Sequence, residues 1–149
     1  PIALDELIEN SLQYLGYLGE KKEINIVHHR KPKLMALADP NMMLLVINNL
    51  LTNAIKFTPE QGEIVLEGEM KDDYVRLSIK DNGLGIPDDL MEELNTGKID
   101  TQLGTDGEKG SGIGLLLSIE LVTFQGGKLE ANRNKGAGST FSVYLPTPN

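Results

Sequence analysis

Residues 39–57 have the sequence DPNMMLLVINNLLTNAIKF. Asp39 has the side chain of an N-cap residue and Pro40 suits the first helical position, so a helix is predicted over 40–57, ending before Pro59. The apolar residues of this predicted helix are distributed over nearly all of its faces. A helix with that pattern is buried on most of its sides.

Three polar side chains share one face of the same helix. Asn49 and Asn53 are one turn apart, and Lys56 follows three residues later. Burying an unpartnered amide costs about 1–3 kcal/mol, so a polar group is expected to meet this face. Capping or water would explain a single asparagine, whereas the three together favour a hydrated cation that bridges phosphates. Magnesium takes hard oxygen ligands and is commonly completed by substrate phosphates, which Lys56 would contact as a point charge.

Strand periodicity places a carboxylate on a second apolar face. The strand predicted over 74–80 has apolar residues at 75, 77 and 79, and Asp81 continues their face by parity. A buried carboxylate needs a partner, and the exocyclic amine of a base would supply one. Gly83 and Gly85 remove side chains, so that a flat ring can approach the backbone. Asp-Asn-Gly is also common turn chemistry, and on this segment alone a tight turn is the favoured interpretation.

A glycine-rich segment opens a later helix. Residues 109–115 have the sequence KGSGIGL. Glycines at a helix start leave backbone N–H groups open to an anion, which favours phosphate contact over a flexible loop that only closes onto the helix. The segment is not a Walker A loop, because no Gly-Lys pair precedes Ser or Thr. It is also a poor dinucleotide fingerprint, because its third glycine comes one residue early.

The remaining patterns predict a two-layer α/β sandwich with a mixed, largely antiparallel sheet and helices on one face. We expect helices over 4–15, 88–94 and 111–124, a strand over 24–29 with a short partner strand over 34–38, hairpins over 63–80 and 128–145, and a mobile loop over 95–110. Gly16 and Gly19 are expected to weaken the end of the first helix. His28 and His29 fall in a strand, so they should point to opposite faces and be packed or solvated rather than bind a metal together.

Composition limits the classes of function. The chain has 149 residues with 40% hydrophobic content, which fits one globular domain, and it has no cysteine, which fits a reducing compartment. The net charge of −8 argues against a nucleic-acid surface. No apolar run approaches the roughly 20 residues that cross a bilayer. The chain begins at Pro1 without a methionine, so we expect it to be a piece of a longer protein.

In this order, the three polar segments resemble the N, G1 and G2 boxes of the Bergerat-fold (GHKL) ATPases. That group includes gyrase-type topoisomerases, heat-shock chaperones, mismatch-repair proteins and histidine kinases. Residues 49–58, NLLTNAIKFT, are nearly the standard N box of the catalytic, ATP-binding domain of two-component sensor histidine kinases. Gly126-Gly127 and the ending Gly138-Ser139-Thr140-Phe141 before Leu145-Pro146 also resemble that domain, so the similarity covers essentially the whole chain.

The resemblance implies a set of nucleotide-contacting residues. They would be Asn49, Asn53, Lys56, Phe57, Asp81, Gly83, Gly85, Ile86, Lys109, Gly110, Gly112, Gly114, Leu115 and Thr140. Asn53 would be the magnesium ligand, assisted by Asn49, and Lys56 would touch the phosphates of ATP. Phe57 would pack near the adenine, and Asp81 would accept from its amino group.

The same resemblance implies a lid over the triphosphate. Residues 95–110 would form it, with the glycines at 110, 112 and 114 and Leu115 along its lining, while Gly83 and Gly85 would border the adenine. Two departures stand out. No phenylalanine occurs in 90–103, where the family has its F box, and leucines there would have to substitute. Thr140 matches an adenine-binding threonine, yet by strand parity it opposes the apolar face.

As a function, the resemblance implies a phosphoryl donor. Hydrolytic relatives carry a water-activating glutamate where this chain has Asn49, and an amide is a poor general base. The γ-phosphoryl group of Mg·ATP would pass to a histidine on an upstream helical hairpin outside this chain, with 1–20 as the connecting helix. A response-regulator receiver domain, a homodimeric full-length protein and a cytoplasmic domain of a membrane-associated kinase are also implied. The alternatives are an anti-sigma-type serine/threonine kinase and a degenerate nucleotide-binding scaffold.

Overall fold

The computed structural model describes residues 1–30, 34–84, 91–92, 111–134 and 137–148. The elements are β1 (Ile2–Ala3), α1 (Leu4–Lys21), β2 (Asn25–His29), β3 (Met35–Ala36), α2 (Pro40–Phe57), β4 (Glu63–Lys71), β5 (Tyr74–Asp81), α3 (Ser111–Phe124), β6 (Lys128–Arg133) and β7 (Ser139–Pro146). The helix predicted over 88–94 lies outside the described residues except for 91–92, which are helical. The loop predicted over 95–110 lies wholly outside them.

The main sheet has five strands in the order β2-β4-β5-β7-β6. β2 pairs with β4 in parallel, and the other three pairs are antiparallel. The helices form the second layer, in which α2 packs between α1 and α3 and also contacts β5. This arrangement confirms the predicted two-layer α/β sandwich with a mixed, largely antiparallel sheet.

Helix α2 has the predicted boundaries. The Asp39 side chain caps it by accepting from the backbone N–H groups of Asn41 and Met42 at 2.8 and 3.0 Å. At the other end, Thr58 Oγ1 donates to the carbonyl of Ala54 at 2.7 Å. Six apolar side chains of the helix are fully buried between the layers: Met43, Val46, Ile47, Leu50, Leu51 and Ala54. The capping signals and the all-round apolar pattern therefore fix both the length of α2 and its central position.

Helix α1 is longer than predicted. It continues through Gly16 and Gly19 to Lys21 instead of weakening after residue 15. The side chain of Ile26 lies against Gly19, where an added Cβ would be 2.5 Å from Ile26 Cδ1. Packing against β2 therefore outweighs the low helix propensity of the two glycines.

The partner assigned to the 34–38 strand was wrong. β3 pairs antiparallel with β1, through Ile2 with Ala36 and Ala3 with Met35, and forms a separate two-stranded sheet. The strand at 25–29 lies next to β4 instead. Proximity along the chain suggested the first pairing, whereas a parallel partner comes after an intervening helix.

No helix within the described residues is long and apolar enough to cross a membrane.

Candidate nucleotide-binding site

The two asparagines of the predicted metal site lie at the contact between α2 and α3. Asn53 is 4% exposed, and its Nδ2 donates to the backbone carbonyl of Asn49 at 2.9 Å. Asn49 Nδ2 lies 3.4 Å from both the Gly114 carbonyl and Ser118 Oγ of α3. The structure therefore brings Asn49, Asn53 and Gly114 together.

The orientation of these two amides suits a hard cation. In each of them the nitrogen is used by protein acceptors, and no described residue donates to either Oδ1. The carbonyl oxygens are the ligand atoms that magnesium prefers. The residues present therefore fit a magnesium ion completed by phosphate oxygens and water.

Asp81 ends β5 with its side chain on the apolar face, as parity predicted. It is 2% exposed, and its Oδ1 accepts from the backbone N–H groups of Gly83 at 3.0 Å and Ser139 at 3.4 Å. Burial raises the pKa of the Asp81 carboxyl above its ordinary value, because desolvation outweighs these two hydrogen bonds. Both bonds from described residues end on Oδ1, so Oδ2 remains for a further donor.

Gly83 joins the Asp81 turn to the end of α2. A Cβ at this position would be 2.3 Å from the carbonyl oxygen of Phe57 and 2.8 Å from Thr58 Cα. The next residue, Leu84, donates its N–H to the same Phe57 carbonyl at 3.2 Å. The missing side chain thus lets β5 approach α2, which places Asp81 and Phe57 at one end of the domain.

The structure does not bring Thr140 to this site. Thr140 pairs with Lys80 across β5 and β7, so it lies on the sheet face opposite Asp81 and lines a separate pocket there. Ser139, one residue earlier, is fully buried and contacts Asp81 through its backbone N–H. Sequence analysis missed Ser139, although it has the same parity as the apolar residues 141, 143 and 145.

The remaining predicted residues have different surroundings. Lys56 is exposed and borders a cleft of about 400 Å³ between the ends of α1 and α2. Leu115 is fully buried in the hydrophobic core, which does not fit the predicted place along the lid. Gly112 lies in the first turn of α3. Gly85, Ile86, Lys109 and Gly110 lie outside the described residues.

His28 and His29 also have different surroundings, as strand alternation predicted. The His28 side chain is 5% exposed and contacts Glu9 at 2.5 Å and Asp5 at 3.2 Å, both on α1. The His29 side chain is 57% exposed. His28 is therefore a packed residue between α1 and β2.

In this structure a buried aspartate ends a strand beside a helix that carries two asparagines, and the glycine-containing start of another helix contacts the first of these asparagines. This arrangement is found in a known family. Residues 38–149 match the model of the histidine kinase-, DNA gyrase B-, and HSP90-like ATPases, so the chain belongs to this family.

Its relatives among characterised proteins include sensor kinases. The chain is 32% identical over 139 residues to the circadian input-output histidine kinase CikA of Synechococcus elongatus, a match that covers 92% of this chain and 18% of that protein. It is 30% identical to the sensor histidine kinase ZraS of Escherichia coli, over 97% of this chain and 30% of that protein. The chain thus spans less than a third of these relatives.

Solved structures show the same fold. A nucleotide-free catalytic domain of the histidine kinase ThkA superposes with a TM-score of 0.82 at 26% identity, covering 98% of this chain and 93% of that one. Full-length ShkA in complex with AMPPNP gives a TM-score of 0.81 at 26% identity, covering 98% of this chain and 30% of that one. The chain is therefore similar to the catalytic domains of histidine kinases along nearly its whole length.

Proposed function

We propose that this domain binds Mg·ATP between α2, the end of β5 and the start of α3, and donates the γ-phosphoryl group to a histidine on a dimerisation module outside this chain. The single observation that supports this best is Asp81. Its carboxylate is buried with Oδ1 held by two backbone N–H groups, and Oδ2 remains for a donor such as the adenine amino group. A buried carboxylate without that donor would have a large desolvation cost.

The phosphates would lie toward α3. Asn53 and Asn49 present carbonyl oxygens that suit magnesium. Lys56 follows three residues after Asn53, is exposed at the cleft between α1 and α2, and would reach the phosphates from that side. The backbone N–H groups at the start of α3, which carries glycines at 112 and 114, would face the triphosphate, together with Gly110 just before the helix. Residues 95–110 would close over it as a lid, with leucines in place of the usual phenylalanines.

The site favours transfer over hydrolysis. Asn49, at the position of the glutamate in hydrolytic relatives, is an amide held against Gly114 and Ser118. An amide does not abstract a proton from water, whereas phosphoryl transfer needs mainly positioning and charge neutralisation. The domain would hold ATP until an acceptor histidine reaches the terminal phosphate.

The names of the relatives suggest the partners. CikA and ZraS are named as histidine kinases, which supports an upstream phosphoacceptor hairpin, a homodimeric full-length protein and a response-regulator receiver domain as the partners. Residues 1–20 would connect to that hairpin. The domain itself would work in the cytoplasm, as part of a membrane-associated kinase.

Isothermal titration calorimetry with ATP tests the binding site. We expect Asn53→Ala to weaken ATP binding in magnesium by about tenfold and to leave the weaker binding in EDTA nearly unchanged, because the variant removes a metal ligand. Asn41→Ala, an exposed asparagine at the other end of α2, is the matched control. Wild-type affinity of Asn53→Ala in magnesium would remove the metal assignment.

Turnover separates a donor domain from a hydrolase and from a scaffold. Incubated with γ-labelled ATP, the domain should release phosphate very slowly and should label the histidine-bearing hairpin of its own full-length protein when that hairpin is added. Rapid multiple-turnover phosphate release would contradict the donor role. A lack of any thermal stabilisation by Mg·ATP would favour a degenerate scaffold.

A further inference from the structure

We propose that Asn134 and Thr140 form a relay that positions Asp81 and so sets the preference of the site for adenine. The part of this inference that concerns nucleotide selectivity rests on the proposed function. Asn134 follows β6, in the connection to β7, and Thr140 is the second residue of β7. The Thr140 side chain lies on the sheet face opposite the Asp81 side chain, so an effect on a nucleotide bound at Asp81 would pass through other residues.

The relay consists of two side-chain hydrogen bonds. Thr140 Oγ1 donates to Asn134 Oδ1 at 2.5 Å. Asn134 Nδ2 donates to the main-chain carbonyl of Asp81 at 2.8 Å, and also to that of Ala137 at 3.3 Å. A side chain on the outer face of the sheet is thereby connected to the backbone of the buried acid.

Chemistry fixes the orientation of the Asn134 amide. Both groups on one side of it are carbonyls, which only accept, so the nitrogen must face them and the oxygen must face Thr140. Its backbone N–H donates to the Gly138 carbonyl at 3.1 Å. Asn134 is thus hydrogen-bonded through its backbone N–H and through both ends of its side chain, which holds it in one rotamer.

The relay acts where the sheet ends. Pairing of β5 with β7 stops at Lys80 and Thr140, and Asp81 lies one residue beyond that pair. The Asp81 carbonyl therefore has no ladder partner on β7, and Asn134 supplies the donor instead. Without this donor, Asp81 would keep its pair with Ile64 on β4 and the hydrogen bonds to its side chain, but its carbonyl would lose its donor.

Gly138 fits the β6–β7 connection against the same carbonyl. Its φ is +90°, and a Cβ there would be 1.9 Å from the Asp81 carbonyl oxygen. The following Ser139 N–H reaches Asp81 Oδ1. Both the main chain and the side chain of Asp81 are therefore hydrogen-bonded to residues of the β6–β7 connection or the start of β7. Asn134 links the end of β6 to this region through its bonds to the Ala137 and Gly138 carbonyls.

Loss of the relay should change the discrimination between ATP and GTP more than it changes the stability of the fold. A base with an amino group at the Asp81 contact gains from a fixed carboxylate, whereas a base with a carbonyl there is disfavoured by it. Releasing the end of β5 should therefore weaken ATP binding and lower the ratio of ATP affinity to GTP affinity. A net hydrogen-bond contribution of about 0.5–1.5 kcal/mol corresponds to an effect of about twofold to tenfold.

The test compares Asn134→Ala and Thr140→Val with two controls. Thr140→Ser keeps the hydroxyl, and Ser142→Ala removes a hydroxyl from the same strand and face that does not bond Asn134. The two readouts are ATP and GTP affinities by calorimetry, and amide hydrogen exchange of Gly83 and Ser139 in the nucleotide-free domain. Thermal melting monitors the fold.

We expect both relay variants to narrow the affinity ratio and to speed exchange at Gly83 and Ser139 by about twofold to tenfold. Both controls should behave like wild type. Unchanged exchange and an unchanged ratio in both relay variants would overturn the relay, even if the melting temperature fell. If the wild-type domain bound neither nucleotide, the proposed function would fail, and amide exchange alone would still decide the relay.

Discussion

The buried carboxylate of Asp81 lowers the free energy of unfolding of the domain at neutral pH. Its burial raises the pKa of the carboxyl, so the charged form is less stable in the folded domain than in the unfolded chain. The folded state therefore binds more protons between the ordinary value of 3.8 and the raised pKa. Stability must fall as pH rises through that window, which is the reverse of a salt-bridged aspartate.

Asp81→Asn tests this sign. At pH 7 we expect the variant to unfold at an equal or higher urea concentration than wild type, because no charge is buried, while its ATP affinity falls. As pH decreases through the raised pKa, wild type should gain stability relative to the variant, and the difference should level off below about 3.8. Urea titrations from pH 7 to about pH 3 measure both the change and its levelling off. A variant that loses stability relative to wild type as pH rises would contradict the assignment.

At the scale of elements, the site is made where the ends of α2, β5 and the β6–β7 connection meet. Gly83 and Gly138 let these ends approach, because their missing Cβ atoms would collide with backbone atoms of Phe57 and Asp81. Backbone atoms cannot move aside as a flexible side chain can. The geometry of the site therefore depends on glycine for packing as much as for ligand access.

Gly83→Ala should be strongly destabilising. Its Cβ would lie 2.3 Å from the Phe57 carbonyl oxygen, so we expect a loss of about 2 kcal/mol or more. Gly16→Ala is the matched control, because nothing lies within 4 Å of its Cβ position in the middle of α1. That substitution should stabilise the domain by about 0.5–1 kcal/mol. Chemical denaturation of both variants measures the contrast, and equal effects would refute the packing role of Gly83.

The contact between α1 and β2 depends on one of two adjacent histidines. His28 bridges Asp5 and Glu9, which are one turn apart on α1, and its side chain is 5% exposed. We expect His28→Ala to cost about 2–4 kcal/mol, since it opens a cavity and removes the group between two carboxylates. His29→Ala should change stability by less than about 0.5 kcal/mol, because that side chain is 57% exposed. Urea unfolding distinguishes them, and similar losses would show that His28 is not the bridge.

Local sequence signals predicted the helices and strands better than they predicted which strands pair with each other. Asp39 and Pro40 defined the start of α2, because capping acts within a few residues. The end of α1 predicted from periodicity, at residue 15, was wrong, because Ile26 on β2 packs against Gly19. Strand parity correctly predicted that Asp81 is buried. Applied to β7, the same rule would have indicated Ser139, which the sequence analysis missed because the family pattern suggested Thr140. Pairings such as β1 with β3 join distant segments, which periodicity cannot show.

For the whole molecule, the folding unit begins before the matched family region. The family match starts at residue 38, yet α1 packs on α2. The buried apolar side chains of α1 are Leu4, Leu7, Ile8 and Leu15. Each such side chain contributes about 1.5–3 kcal/mol on burial, which together approaches the whole stability of a typical domain. Helix α1 is therefore part of the core, whether or not it also continues toward an upstream module.

Deleting residues 1–22 should abolish cooperative folding. The deletion exposes the apolar surface of α2 that α1 covers, so we expect no sigmoidal thermal transition by circular dichroism. A double substitution of Tyr14 and Tyr17 to serine is the control, because these α1 side chains are 71% and 61% exposed. It should melt close to wild type. A cooperative transition in the shortened chain would show that α1 is dispensable.

The parallel pairing of β2 with β4 has a consequence during synthesis on the ribosome. β2 (Asn25–His29) leaves the exit tunnel first, but its partner strand begins only at Glu63, after all of α2. Until then the nascent chain carries an extended segment with Ile26 and Val27 and no neighbour to accept it. During that interval β2 is an unpaired strand that is open to chaperones and to mispairing.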